Sequence, residues 1–138
     1  IVNDDWRLAA ELGIDAVHLG EDDGDIEEAR QALGPGSLIG VSCYASVERA
    51  RALAPVADYL AFGALFASGT KPLARPAPLS VFREVQALSL AGIGGIDADN
   101  IGSVLAAGAD AAAVIGSLFR QGDVRAAAQR LVAAAARP

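Results

Sequence analysis

Short apolar runs alternate with amphipathic segments along this chain at fairly even spacing, and that alternation restricts its fold more than any other feature. The runs cover residues 16–19, 38–43, 59–66, 89–93 and 111–118, and Ile1-Val2 reads as the tail of another. None alternates cleanly between polar and apolar residues, as expected of parallel strands covered on both faces. Between them, residues 5–12, 25–33, 46–54, 79–87, 97–107 and 123–136 have helical patterning. Several of these begin at Asp or Ser, whose side chains accept from the free N–H groups of a first turn. Two end at Gly34 and Gly108, which suit helix C-termini. Asp15, Asp58 and Asp110 each stand between a helix end and a strand start, and read as structural turn residues.

Six βα units in series mean a parallel sheet with helical crossovers. A doubly wound sheet keeps its polar chemistry at one or two loops around a switch point. A barrel gathers it from many strand C-terminal ends. Here nearly every strand ends in candidate ligand groups: Asn3-Asp4, residues 20–23, Ser42, residues 68–71, Gly94-Gly95 and Gly116-Ser117. The expectation is therefore an α/β chain of the (β/α)8 TIM-barrel class with about six of the eight units present. Residues 1–138 would be the C-terminal three quarters of a single barrel domain. The chain opens on Ile1 rather than Met, so two βα units and the start of a third strand are expected upstream.

Composition narrows the function. Hydrophobic residues make up 53% and charged residues 20% of the 138 positions, enough apolar material for a sizeable core. A net charge of −6 argues against a general nucleic-acid or anionic-membrane binder, because phosphate backbones demand a basic face. A single cysteine excludes an internal disulfide framework and a cysteine zinc cluster. No run approaches the ~20 apolar residues of a membrane span and no signal peptide is visible, so a cytoplasmic location is expected.

The basic residues are lopsided. Lys71 is the single lysine among eleven Lys and Arg, and Thr70 directly before it is the single threonine. Ser68-Gly69-Thr70-Lys71 thus offers two hydroxyls, a flexible glycine and one ammonium, an anion site without Walker A spacing. The glycines of 92–95, at the start of a helical segment, and Gly116 let backbone N–H groups approach a second anion. Asp4 and Asp23 follow strand ends that a barrel would bring to one rim. Two carboxylates without cysteine or a second histidine suit Mg²⁺ rather than zinc. The alternative reading is that each caps the neighbouring helix. His18, the one histidine, reads as a packing or supporting hydrogen-bond residue, and Cys43 and Trp6 as core or helix-face residues.

The string of motifs resembles the thiamine phosphate synthase family. It is carried by Ile1-Val2-Asn3-Asp4, His18-Leu19-Gly20-Glu21-Asp22-Asp23, Gly40-Val41-Ser42, Phe62-Gly63, Ser68-Gly69-Thr70-Lys71-Pro72, Gly92-Ile93-Gly94-Gly95-Ile96 and Ala107-Gly108-Ala109-Asp110. The resemblance runs the length of the chain. It implies an Mg²⁺-dependent transferase that joins hydroxymethylpyrimidine diphosphate to a thiazole phosphate and releases pyrophosphate. By it, Asp4 and Asp23 would hold Mg²⁺. Asn3, Ser42, Ser68, Thr70 and Lys71 would contact the pyrimidine substrate or its diphosphate, with Thr70 and Lys71 closest to the chemistry. Gly94, Gly95, Ile115 and Gly116 would offer backbone to the thiazole phosphate. The partners implied are small phosphorylated molecules, with homo-oligomerisation left open.

The sequence departs from the family pattern in places. Glu21 stands where Gln is usual, Gly69 where Pro is usual and Gly116 where Ser is common, and the family's Gln-x-Arg strand is absent from these residues. Two other readings compete: a truncated, non-catalytic phosphate-binding remnant of the barrel, and a relative of the thiazole tautomerase type. Asn3-Asp4 with Thr70-Lys71-Pro72 argues against the latter. A direct check follows from the lone lysine. In the full-length protein, Lys71→Ala should slow pyrophosphate release about ten- to a hundredfold, the cost of one charge-assisted contact to an anion. Arg75→Ala should change it little. Equal, small effects in a pyrophosphate assay would make the Thr-Lys pair incidental.

Overall fold

The structure is a computed structural model and describes residues 1–67, 76–85 and 89–136. Strands and helices alternate from the start: β1 (Val2–Asn3), α1 (Trp6–Glu11), β2 (Ala16–Leu19), α2 (Ile26–Leu33), β3 (Leu38–Tyr44), α3 (Val47–Leu53) and β4 (Tyr59–Phe62). Then come α4 (Val81–Glu84), β5 (Ser89–Ile93), α5 (Ile101–Ala106), β6 (Ala111–Ala113), α6 (Gly116–Phe119) and α7 (Val124–Ala135). The strands form one six-stranded sheet in the order β1-β2-β3-β4-β5-β6, and every pairing is parallel. A doubly wound sheet reverses its order at a switch point. This sheet never does, so the βα units wind in one direction, as in a barrel wall. Among the described residues β1 and β6 are its edges, and a closed eight-stranded ring is not what they show.

Parity along the strands separates two faces. Val17, Leu19, Ile39, Val41, Cys43, Leu60 and Phe62 are fully buried and belong to one cluster with Trp6, Ala9, Ala29 and Ala50 of the helices. On the alternate positions Gly40 and Ala61 are buried, while His18, Ser42, Tyr59 and Ala91 are only partly buried. The expectation of strands covered on both faces is met only in part. One face lies under helices, while the other is a half-open wall that carries the polar side chains. Burial pushes the Cys43 thiol up to about 11, which fits the core role read for it.

Several element ends differ from the sequence pattern, each for a local reason. The run 59–66 leaves the strand at Phe62, where Gly63 presses against the Ile93 carbonyl so closely that a Cβ would overlap it. The run 111–118 splits after Ala113. Past that point the backbone bonds to itself, Leu118 and Phe119 N–H both donating to the Ile115 carbonyl, and starts α6. The helix patterned from residue 97 begins at Ile101. Before it, Asp97 and Asn100 form a turn in which Asp97 N–H donates to Asn100 Oδ1 at 3.0 Å and Asn100 N–H to Asp97 Oδ1 at 3.2 Å. The last residues of the 79–87 pattern lie outside the described residues.

The strand-start aspartates are clamps, as the repeat implied. Asp58 donates its N–H to the Ile39 carbonyl at 2.8 Å, and its Oδ2 accepts from Ile39 N–H at 2.7 Å and from the Arg30 guanidinium at 2.7 Å. Asp110 repeats the pattern one hairpin of units later: its N–H donates to the Leu90 carbonyl at 2.8 Å and its Oδ2 accepts from Leu90 N–H at 2.7 Å. Asp15 gives its backbone carbonyl to Leu38 N–H at 2.7 Å. Each contact sets the start of one strand against its neighbour and so fixes register. Asp58→Ala would leave the N–H of fully buried Ile39 without its acceptor. It should destabilise the fold by about 1–3 kcal/mol in chemical denaturation, and a midpoint equal to wild type would refute the clamp.

Candidate active site

Because all six strands run the same way, their C-terminal ends lie along one edge of the sheet. At β1 and β2 that edge is tied around His18. Asn3 stands opposite His18 in the register, and Asp4 donates its N–H to the His18 carbonyl at 2.8 Å. Asp4 has φ +71°, a left-handed conformation that turns the chain sharply off the strand end. Burial pushes the His18 imidazole below its ordinary value, and the Asp4 and Asp23 carboxylates push it partly back. The charges of both carboxylates, at two neighbouring strand ends, thus act on the same imidazole.

The N-caps of the two neighbouring helices are other acids. Asp5 caps α1, its Oδ1 accepting from Leu8 N–H at 2.9 Å. Asp25 caps α2, accepting from Glu27 and Glu28 N–H at 2.8 and 3.0 Å. Asp23 instead folds back on its own loop, where its Oδ2 accepts from Gly20 N–H at 2.6 Å. A Cβ on Gly20 would stand 2.9 Å from that oxygen, so this loop needs glycine there. With the α2 cap supplied by Asp25, the helix-capping alternative for Asp23 falls away.

The β3 end adds hydroxyls and a cation. Ser42 lies within 2.9 Å of His18 Nε2, and Tyr59 OH within 2.8 Å of His18 Nδ1. The pairing shifts between Ser42 and Tyr44, and Tyr44, at φ +56°, swings outward so that its hydroxyl accepts from Glu21 N–H at 3.1 Å. Arg49 on α3 donates through Nε to the Ser42 carbonyl at 2.9 Å and stands 5.9 Å from the Tyr44 ring centre. Tyr44, Arg49 and Tyr59 escaped the sequence reading. The signal for Tyr59 was parity, since the strand pairing places it on the His18 and Ser42 face.

Farther along the edge, the exits of β4, β5 and β6 interlock. Gly94 and Gly95, at φ +95° and +66°, leave no room for a Cβ against Ala64 and against Phe66 and Ala67. Ser117 donates to the Ile96 carbonyl at 2.7 Å, which ties the Ile115-Gly116 turn to the glycine loop. The sequence-predicted residues Asn3, Asp4, Asp23 and Ser42 thus form one group and Gly94, Gly95, Ile115 and Gly116 a second, on the same edge. Ser68, Thr70 and Lys71 lie outside the described residues. A hollow lined by Leu38, Tyr59, Leu90 and Ala111 opens at the other end of the strands and offers an anion no cation.

Among the described residues no three His, Cys, Asp or Glu side chains gather into a metal cage. Two hard carboxylates at one rim suit Mg²⁺, which takes one or two protein carboxylates and completes its shell with water and phosphate oxygens.

A singly wound parallel α/β wall with acids, hydroxyls and tight glycine turns along its C-terminal edge defines a protein of the TIM-barrel-like parallel α/β class. Within that class the chain belongs to the family of thiamine monophosphate synthases, whose model matches residues 1–118. It is 56% identical to the thiamine-phosphate synthase of Chromobacterium violaceum over 95% of its own length and 65% of that protein's. It is 52% identical to the Bordetella avium thiamine-phosphate synthase over 96% of its length and 66% of the relative's. The solved thiamine phosphate pyrophosphorylase of Pyrococcus furiosus superposes with a TM-score of 0.84 at 35% identity, over 97% of this chain and 65% of that one. A 3-hexulose-6-phosphate synthase shares the fold at a TM-score of 0.72 and 22% identity. The chain therefore spans slightly less than two thirds of the curated relatives it matches.

The cap assignments separate stability from the site. Asp25→Ala should cost about 1 kcal/mol in denaturation while leaving turnover per folded molecule unchanged. A loss of turnover without a loss of stability would move Asp25 into the site and undo the division made here.

Proposed function

We propose that the full-length protein is a thiamine-phosphate synthase, joining hydroxymethylpyrimidine diphosphate to a thiazole phosphate with release of pyrophosphate. The observation that carries this reading is the rim at which Asp4, tied through its N–H to the His18 carbonyl, and Asp23, folded onto Gly20 N–H, stand at neighbouring strand ends with Ser42 close by on His18. The family membership and the relatives' names support it. On this reading the six βα units are the C-terminal three quarters of an eight-stranded barrel.

Asp4 and Asp23 would hold Mg²⁺, which supplies positive charge where the diphosphate leaves. Ser68, Thr70 and Lys71 would grip the same diphosphate, while Asn3 and Ser42 orient the pyrimidine. Gly94, Gly95, Ile115 and Gly116 would present backbone N–H groups to the thiazole phosphate. The bond from the pyrimidine methylene to the diphosphate oxygen breaks, and its electron pair leaves with pyrophosphate. The thiazole nitrogen then gives its lone pair to the methylene carbon. No strong base is needed, so the protein's work is to hold two partners in line and to stabilise charge as it separates.

The test is pyrophosphate release by the full-length protein supplied with both substrates and Mg²⁺. Release should require both substrates and stop with a chelator. Asp4→Asn and Asp23→Asn should each raise the Mg²⁺ needed for half-maximal rate about ten- to a hundredfold, with exposed Asp22→Asn near wild type. Absence of release, or release indifferent to the thiazole phosphate, would overturn the function.

A further inference from the structure

The polar wall of the sheet holds a half-buried chain of three side chains that the reaction as outlined does not use in full. His18 sits mid-strand with Nδ1 2.8 Å from Tyr59 OH and Nε2 2.9 Å from Ser42 Oγ. We propose that Tyr59 and His18 are positioning residues that fix the direction of this hydrogen-bond chain, so that Ser42 meets the substrate as a donor. The inference rests on the functional reading only in taking Ser42 as a substrate contact.

Proton counting sets the direction. A phenol has one proton to give, and among the described residues the partner of the Tyr59 hydroxyl is His18 Nδ1. Giving that proton makes Nδ1 the acceptor. A neutral imidazole then carries its proton on Nε2, which donates to Ser42 Oγ. With Nε2–H occupying one lone pair of that oxygen, the Ser42 hydroxyl proton has no acceptor at the ring and turns away from it. A substrate acceptor atom, nitrogen or oxygen, is what it can serve. The opposite direction would leave the Tyr59 proton without use and make Ser42 spend its own proton on the ring.

The geometry is held rather than incidental. The Tyr59 ring stacks on the imidazole at 5.5 Å between centres and 28° between planes. It also lies across Gly40, where any Cβ would overlap the ring. Gly40 pairs with both Tyr59 and His18 in the sheet register, so the bare backbone of β3 is what lets the two rings meet above it. Arg49 holds the Ser42 carbonyl from the helix side, so both the backbone and the hydroxyl of Ser42 are placed.

The experiment reads the tautomer directly, in full-length protein labelled with ¹⁵N-histidine, with His18→Gln used to assign the His18 signals. At neutral pH the wild-type ring should show a protonated Nε2 and an unprotonated, hydrogen-bonded Nδ1. Tyr59→Phe keeps the ring and removes the donor. It should move the Nδ1 resonance toward that of a free imidazole nitrogen and lower kcat about three- to tenfold, with a smaller change in KM. His18→Gln, whose amide carries both a donor and an acceptor, should retain more activity than His18→Leu. A proton on Nδ1, or on both nitrogens, in the wild type would overturn the proposal. So would a Tyr59→Phe protein with unchanged spectrum and unchanged kcat. Protein with the expected, Tyr59-dependent spectrum but no pyrophosphate release would uphold the relay and overturn the proposed function instead.

Discussion

Parallel pairing of each strand with the next is the constraint from which the rest of this molecule follows. Parallel neighbours cannot be joined by a tight turn, so every connection must cross back through a helix. Winding in one direction then sends those helices to one face, where they cover Val17, Leu19, Ile39, Val41, Leu60 and Phe62. It also sends every strand C-terminus to one edge. The clamps of Asp58 and Asp110 act at the opposite edge, holding strand starts in register. A slip of one residue would swap the two faces and carry His18, Ser42 and Tyr59 into the apolar layer.

The division of labour between the two ends follows from the same geometry. At strand starts, acids are consumed by backbone N–H groups and by Arg30. At strand ends, Asp5 and Asp25 cap the helices, Asp23 folds back on Gly20 N–H, and Asp4 ties its N–H to the His18 carbonyl. Acids two residues apart thus perform different work: Asp25 caps the first turn of α2 while Asp23 closes its own loop.

Much of this architecture is legible before any coordinates are known. The even spacing of apolar runs locates all six strands, since each was read from residues that must be shielded from water. The strand-start role of Asp58 and Asp110 was legible from its repetition. Element ends were not. Gly63 ends β4 because the Ile93 carbonyl of another strand stands beside it, and β6 is short because residues beyond Ala113 bond to their own turn and to Ile96. Both causes lie in contacts across the sheet, which local patterning does not contain.

The candidate site divides in the same way. The sequence by itself determined the alternation of strand and helix, the residue types at each strand end, and hence a parallel α/β chain with an acid- and glycine-lined rim. These depend on local periodicity and composition, which a linear string records. Only the tertiary structure decided which acids cap the helices, that Tyr44 and Arg49 join Ser42 at the rim, and that Tyr59 and Ser42 meet on the two nitrogens of His18. Those relations join β2, β3 and β4 through strand register and side-chain parity, and register is set by pairing across the sheet rather than by neighbours along the chain.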